Sequence, residues 1–506
     1  MANPLFDRLF ARHAGKPTPF LHLPDGTVVT HDAFLRLAAQ FAHAITAQGL
    51  VPGDRLAVQI DKSPEALAVY AACVQAGVVL LPLNTAYTAA ETDYFVENSG
   101  AKLVLSSDTA QDAMAPIAGR YDAALLTLNA DGSGSLSDAA RGLPETFDTV
   151  ARAEDDLTAL LYTSGTTGRS KGAMLTQGNL LANAEVLTDC WRFTSDDVLL
   201  HALPIFHTHG LFVATNILLL AGGSMIFLPK FDLDAMIAQM PRATSMMGVP
   251  TFYTRLLDDP RFTRDLTAHM RLFVSGSAPL LAETHTRMEA RTGHRILERY
   301  GLTETSMNTS NPYDGDRRAG TVGFPLPGVE LKITDAASGE ALPDGEIGQI
   351  EVRGPNVFKG YWRMPEKTAA ELRSDGFFIT GDLGRIDADG YLHIVGRNKD
   401  LIISGGYNIY PKEIELVLDA QPGVLESAVI GVPHADFGET VVGVIVEEPG
   451  RTADLEEISR AAGKALARFK HPRRLIVLDA LPRNTMGKVQ KNLLRERLSD
   501  LFAPAG

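Results

Sequence analysis

Short apolar runs alternate with longer amphipathic stretches through the first part of the chain. Runs at 55–60, 78–82, 102–106, 159–163, 224–228, 245–249 and 272–275 read as strands, and helical periodicity fills most of the intervals. Repeated strand–helix alternation predicts a parallel or mixed sheet with covered faces. Two uncharged runs, 66–83 and 210–229, approach the length of a membrane span. Each breaks in the middle, at Gly77 and at Gly222-Gly223, and an apolar strand pattern follows. Both therefore read as a helix leading into a buried parallel strand. Residues 1–16 read as a short amphipathic helix rather than a signal peptide, because Asp7, Arg8 and Arg12 interrupt the apolar positions.

After about Asp314 the texture changes: Gly and Pro become frequent, and short alternating strands are expected at 329–333 and 348–352. A second change comes at 396–400: a strand at 390–395 precedes it, and a helix at 412–418 and strands at 427–431 and 441–447 beyond it predict a separate small domain. The expected fold class is α/β. A large N-terminal domain (1–398) of mixed or parallel sheets sandwiched with helices carries a β-rich subdomain, and a small, mobile α+β domain follows (399–506). The Gly-Ser patch at 131–136 reads as a surface loop.

Composition narrows the function classes. The chain has 506 residues, 45% hydrophobic and 21% charged, which fits several globular domains with sizeable cores. A net charge of -14 argues against a nucleic-acid partner, which needs a concentrated cationic surface. Cys73 and Cys190 lie far apart without metal-like spacing, so a reducing, cytoplasmic setting and no membrane partner are expected.

The densest chemistry lies at 162–172, YTSGTTGRSKG, just after the apolar pair Leu160-Leu161. Thr163, Ser164, Thr166 and Thr167 supply hydroxyls for phosphate oxygens. Gly165 and Gly168 let backbone N–H groups approach a ligand, and Lys171 can neutralise a terminal phosphate. The usual P-loop spacing of four residues between its first Gly and Gly-Lys-Ser/Thr is not met, which disfavours a P-loop kinase or GTPase.

Further segments follow in order: Tyr300-Gly301-Leu302-Thr303-Glu304-Thr305, Tyr361-Trp362-Arg363, Thr380-Gly381-Asp382, Gly396-Arg397-Asn398-Lys399-Asp400, Ser404-Gly405-Gly406-Tyr407-Asn408-Ile409-Tyr410-Pro411 and Pro482-Arg483-Asn484-Thr485-Met486-Gly487-Lys488. With the loop, they make nearly the whole chain resemble the adenylate-forming superfamily of acyl- and aryl-CoA synthetases, luciferases and adenylation domains. The resemblance implies two half-reactions. A carboxylate attacks the α-phosphorus of ATP and releases pyrophosphate; a thiol then attacks the acyl-adenylate and releases AMP. It implies ATP, Mg2+ and coenzyme A as cofactors. It assigns Glu304 to Mg2+ and Thr303 to a phosphate oxygen. Tyr300 would stack on adenine, within a nucleotide site that includes Glu298 and Gly301. Gly276, Ser277 and Ala278 would contact the base through the backbone, Asp382 the ribose hydroxyls, and Arg397 the ribose or phosphate unless it is only a structural ion pair. Lys488 would sit between the two anions of the first step. Lys399 would be the hinge of a domain rotation that replaces Lys488 with the loop at Ser404, Gly405, Gly406 and Tyr407. The Lys488 context also resembles the target of bacterial lysine acetyltransferases and their opposing deacetylases.

Arg299 departs from the family pattern, in which many members have Gly before the Tyr-Gly pair that lines the acyl pocket. A buried Arg beside an apolar acyl chain would be an unpaired charge. Beside a second carboxylate its fork is useful. The structural alternative pairs Arg299 with Glu298 or Glu304. His207, Thr208 and His209 form a second polar cluster beside the expected pocket, with His207 favoured as gate or carboxylate contact. Ser277 is a further candidate acid contact, and Thr208 and Met307 are candidates for setting pocket size. These features point to a small dicarboxylate, malonate first and methylmalonate as a slower substrate, as in the malonyl-CoA synthetases of the superfamily. CoA is the expected acceptor, because the sequence runs only about 18 residues past Lys488 and shows no carrier domain. A free-standing adenylation enzyme that loads another small acid onto a separate carrier protein is the alternative. A luciferase-like oxidation does not suit so polar a pocket. A nucleotide-binding module without catalysis does not suit intact Thr303, Glu304, Asp382 and Lys488.

Overall fold

The computed structural model describes residues 2–163, 170–404, 407–434, 437–466, 468–484 and 487–502. Six phosphate-loop positions (Ser164, Gly165, Thr166, Thr167, Gly168 and Arg169), the pair Gly405-Gly406, and Thr485 and Met486 beside Lys488 lie outside these residues. The chain divides into two compact units, residues 1–330 with 352–378, and residues 331–351 with 379–506.

Among the described residues, the first unit holds two large sheets. A six-stranded sheet runs Ala124–Thr127, Leu103–Ser106, Arg55–Gln59, Val79–Pro82, Leu157–Thr163, Lys171–Thr176. Its first five strands are parallel, and the last turns back antiparallel. That hairpin places Thr163 opposite Lys171, so the two ends of the phosphate loop face each other. A nine-stranded sheet includes Ser224–Phe227, Val198–His201, Ser245–Gly248, Leu272–Ser275, Leu297–Leu302 and Ser306–Ser310. The apolar runs become strands with small shifts at their ends. The strand Leu297–Leu302 escapes an apolar scan because Glu298 and Arg299 interrupt it.

The two uncharged runs fold as expected from their glycines. Helix Pro64–Ala76 starts at a Ser63 cap with Pro64 in its first turn, and stops at Gly77 in the left-handed conformation (φ 72). It is buried along nearly its whole circumference. The second run forms helix Asn216–Ala221, ended by Gly222 (φ 79), then strand Ser224–Phe227. Its first half is a π-helix, His209–Thr215, which no periodicity of 3.6 announces. Among the described residues no helix is long and apolar enough to cross a membrane.

The second unit contains most of a four-stranded sheet, Glu330–Thr334, Gly348–Arg353, Phe378–Ile386 and Leu392–Arg397. It also contains a five-stranded sheet built on the long hairpin Val424–His434 and Gly438–Glu447. Helices Pro411–Asp419 and Leu455–Ala465 cover one face of the hairpin through Ile414, Leu418 and Ile458. Helix Lys491–Arg497 covers the other through Leu494. The unit boundaries differ from a division at 398/399, because strand Leu392–Arg397 packs on helix Pro411–Asp419 and joins its sheet to the C-terminal residues.

Two buried histidines tie the N-terminal segment to the first unit. His13 and His31 stack with ring centroids 4.1 Å apart. Their Nε2–H groups donate to the carbonyls of Leu219 (2.6 Å) and Gly223 (3.1 Å). Burial pushes both down from 6.5 to about 4, and the neighbouring Lys16 and Arg12 act in the same direction. The unfolded chain therefore binds protons in a window where the folded chain does not. Stability is complete above pH 6.5 and declines as pH falls toward about 4. The unfolding temperature should fall across that window. His31→Gln, which keeps a donor but does not titrate, should flatten the profile; an unchanged slope in thermal scans would remove the pair as the cause.

Candidate active site

The ends of the phosphate loop meet a compact polar network. Thr163 Oγ1 donates to Oε1 of Glu304 at 3.3 Å, and Tyr361 Oη approaches the same oxygen at 3.1 Å. Tyr361 Oη also lies 2.7 Å from Oε2 of Glu371. One hydroxyl proton faces two carboxylates, and burial together with those charges pushes the phenol far up. Lys171 Nζ lies 3.4 Å from Glu371 and 4.2 Å from the Tyr361 ring centroid. Lys367 Nζ holds the other Glu371 oxygen at 2.6 Å. Against burial, Lys367, Tyr361 and Lys171 keep Glu371 below the usual carboxylate range. Both bonds to Glu304 fall on Oε1, so Oε2 stays outside this network.

Glu304 sits in the turn between strands Leu297–Leu302 and Ser306–Ser310, with half-buried Thr303 beside it. Residue 301 must be glycine, since a Cβ there would lie 1.7 Å from the Ser306 carbonyl oxygen. Ser306 adopts φ 50, a left-handed conformation that strains an L-residue. The turn is clamped from outside. The Phe358 amide donates to the Glu304 carbonyl at 2.8 Å, and Asn356 Nδ2 to that of Thr305 at 2.8 Å. Tyr300 and Met307 are buried on either side of the turn. Asn183 brackets Met307, accepting its amide at 3.3 Å and donating to its carbonyl at 2.9 Å.

Arg299 defines a second cluster. Its guanidinium is buried, and Nε and Nη2 have no hydrogen-bond partner among the described residues. These two donors form one side of the guanidinium fork. Burial pushes the group down to about 9, opposed by Tyr253. The guanidinium lies flush against Gly276, where a Cβ would come within 2.3 Å of Cζ. Ser277 follows at φ 71, and its Oγ lies 3.3 Å from Nδ1 of His209. Burial first, then Arg299, drives His209 well below the ordinary range, so its ring is neutral. His209 Nε2 and Thr208 Oγ1 are also buried without partners among the described residues.

The geometry rearranges several sequence expectations. Neither Glu298 nor Glu304 pairs with Arg299. Glu298 alternates to the opposite face of its strand, where Oε1 lies 3.4 Å from Nδ1 of His285 and accepts the Gly320 amide at 3.3 Å. His209 meets Arg299 and Ser277; His207 is half-buried beside it, and its Nδ1 accepts the His209 amide at 3.4 Å. Gly276 serves Arg299 by leaving it room, and Ala278 continues the turn after strand Leu272–Ser275. Glu371 and Asn356 joined the site without a motif signal to single them out, and Tyr361 lay in a motif that assigned it no role.

In the second unit, Asp382 and Arg397 are opposite one another on paired strands, and Arg397 Nε lies 2.9 Å from Asp382 Oδ1. The ion pair weighed as the structural alternative for Arg397 is thus present. Lys399 lies in a short turn, Asn398–Asp400, and is exposed. Ser404 ends a short strand, opposite Tyr407. Lys488 is exposed in a hairpin where its amide and carbonyl both bond Asn484, at 2.9 Å each. Arg483 donates to the Gly487 carbonyl and pairs with Glu426, fixing that hairpin on the long strand.

The AMP-binding enzyme family matches residues 6–362, and the AMP-binding enzyme C-terminal domain matches residues 413–488. A crystal structure of ATP-bound MatB from Rhodopseudomonas palustris superposes with a TM-score of 0.97 at 58% identity, covering 99% of this chain and 100% of the other. A malonate–CoA ligase of Arabidopsis thaliana is 36% identical over 485 residues, 89% of this chain and 79% of its own length. A feruloyl-CoA synthase of an Amycolatopsis species is 38% identical over 477 residues, 93% and 94% of the two chains. The sheets, the loop hairpin and the Glu304 turn are those of one fold, and the chain belongs to the AMP-binding enzyme family.

Proposed function

We propose that the protein is an AMP-forming malonate–CoA ligase: malonate and ATP give malonyl-AMP and pyrophosphate, and CoA then takes the malonyl group with release of AMP. The observation that carries the acid assignment is the buried Arg299, whose Nε and Nη2 find no acceptor among the described residues. A second carboxylate on the substrate is the matching group, since it accepts both bonds at once and neutralises the charge. His209 Nε2 and Thr208 Oγ1 are further unpartnered polar atoms in the segment beside it. Relatives named as malonate–CoA ligases from Arabidopsis thaliana and Bos taurus support the same acid and CoA as acceptor. Methylmalonate is a slower substrate in this reading, with Thr208 and Met307 limiting the added methyl.

Catalysis rests on bringing two anions together. Lys171 and the hydroxyl of Thr163 take the phosphates that leave as pyrophosphate, and Thr303 holds an oxygen of the α-phosphate. Glu304 suits Mg2+: it offers one carboxylate with a neighbouring hydroxyl, and no group of three or more acidic, His or Cys ligands surrounds it among the described residues. Phosphate oxygens and water would complete such a cation's shell. When bound, Mg2+ supplies positive charge to the triphosphate. Lys488 offsets the repulsion as the substrate carboxylate meets the α-phosphorus. Rotation at Lys399 then exchanges Lys488 for the segment of Ser404 and Tyr407 in the thiol step. Acetylation of Lys488 by a lysine acetyltransferase would remove its charge and stop the first step, and a deacetylase would restore it.

A CoA-dependent AMP-release assay across two- to five-carbon mono- and dicarboxylates tests the reading directly, with malonate expected to lead and acetate to be nearly inert. Arg299→Met should cut malonate kcat/KM by roughly a thousandfold. The same variant should unfold about 2 °C higher without ligand, because an isosteric apolar chain replaces a desolvated charge. Normal malonate kinetics in Arg299→Met would sink the dicarboxylate argument. Lys488→Ala should slow pyrophosphate release by about three orders of magnitude while preformed malonyl-AMP still reacts with CoA. Lys399→Pro should show the reverse, sparing adenylation and impairing thioester formation; equal losses in both half-reactions would count against a hinge there.

A further inference from the structure

One buried cation takes no part in the steps above. Lys62 lies between strand Arg55–Gln59 and helix Pro64–Ala76. The residue is only partly exposed, and its ammonium is enclosed; burial alone drives it well below the ordinary lysine range. It donates to Nδ1 of His201 at 2.8 Å and to the carbonyl oxygen of the same residue at 2.9 Å. The Phe227 ring centroid is 4.2 Å away. Among the described residues no carboxylate pairs with it.

These contacts fix the state of His201. A lysine ammonium has no acceptor, so Nδ1 of His201 carries the lone pair and Nε2 carries the proton. Burial, and then the adjacent Lys62, keeps this ring neutral. The Nε2 proton points at the carbonyl of Gly210, 2.9 Å away. That carbonyl takes a second side-chain bond, from Thr215 Oγ1 at 3.0 Å. Both bonds brace the opening of the π-helix His209–Thr215, an irregular turn whose geometry is not secured by the usual helical ladder. Gly210 fits against the Pro204 carbonyl so closely that a Cβ would lie 2.0 Å from its oxygen. The residue before Gly210 is His209, whose Nδ1 meets Ser277 and whose buried Nε2 has no partner among the described residues.

We propose that Lys62 is a positioning residue of the acid pocket, selecting the tautomer of His201 and thereby setting the π-turn that presents His209 beside Arg299. The proposal rests on the malonate-ligase reading. It assigns Lys62 no contact with substrate, and it predicts an effect on the acid rather than on the nucleotide.

The test is steady-state pyrophosphate release by the full-length enzyme, with malonate varied at saturating ATP and ATP varied at saturating malonate. Lys62→Met should raise KM for malonate roughly tenfold and leave KM for ATP within about twofold. His209→Ala should raise KM for malonate too, and the double variant should be no worse than His209→Ala alone, because both changes remove one coupled element. His201→Gln retains a donor for the Gly210 carbonyl and should keep most malonate affinity, whereas His201→Leu should resemble Lys62→Met. This second pair decides the matter if Lys62→Met fails to fold. Parallel rises in both KM values, additive losses with His209→Ala, or equal behaviour of His201→Gln and His201→Leu would each overturn the positioning role. Wild-type enzyme that does not turn over malonate would overturn the ligase reading itself. Malonate turnover that Lys62→Met leaves unchanged would overturn only the role of Lys62.

Discussion

The site is organised around a charge that the protein desolvates and that no carboxylate among the described residues neutralises. Removing a guanidinium from water without a counter-ion costs on the order of several kcal/mol. Arg299 bears that cost in the absence of ligand, flush against the bare backbone of Gly276. The surrounding chain is shaped to tolerate this. Ser277 adopts a left-handed φ of 71, His209 is neutral, and the acids nearest in sequence are directed elsewhere. The rigid sheet behind supplies the stability that an unpaired cation consumes: Phe273, Met246 and Leu200 on adjacent strands are fully buried in one continuous core. On the proposed reading selectivity follows from the same arrangement: an acid with one carboxylate would leave the cation unsatisfied, and an acid with two would not.

Most of the scaffold was legible because parallel strands buried on both faces carry uninterrupted apolar runs, as at Val79–Pro82 and Leu103–Ser106. The strand Leu297–Leu302 was not legible by that criterion, because its functional positions break the run. Strands that carry chemistry are the ones an apolar scan loses. The π-helix His209–Thr215 was hidden for a related reason: an all-apolar segment has no amphipathic period from which to read its turn. That concealed turn places the His209 ring against Ser277, a contact the sequence pattern does not announce.

Motif resemblance located Glu304 and Asp382 but said nothing of what engages them within the protein. Tyr361 links Glu304 to Glu371 through a hydroxyl whose neighbours are more than fifty positions from Glu304 in sequence, a relation no local pattern contains. Glu298 shows the opposite limit. Motif membership makes it an expected part of the nucleotide site but does not announce that its carboxylate lies beside His285. The direction of that side chain was readable from alternation only once the strand was known.

The Lys171–Glu371 pair gives the phosphate loop a built-in competitor. An incoming triphosphate that claims the Lys171 ammonium has to displace a carboxylate already resting there, and Lys367 and the Tyr361 hydroxyl remain to hold Glu371 after the exchange. Nucleotide affinity is thus a difference between two anions and not the full strength of one contact. Such a swap keeps the cation neutralised on both sides of the reaction and weakens the grip on departing pyrophosphate. If Lys171 binds phosphate as proposed, this exchange favours turnover over retention.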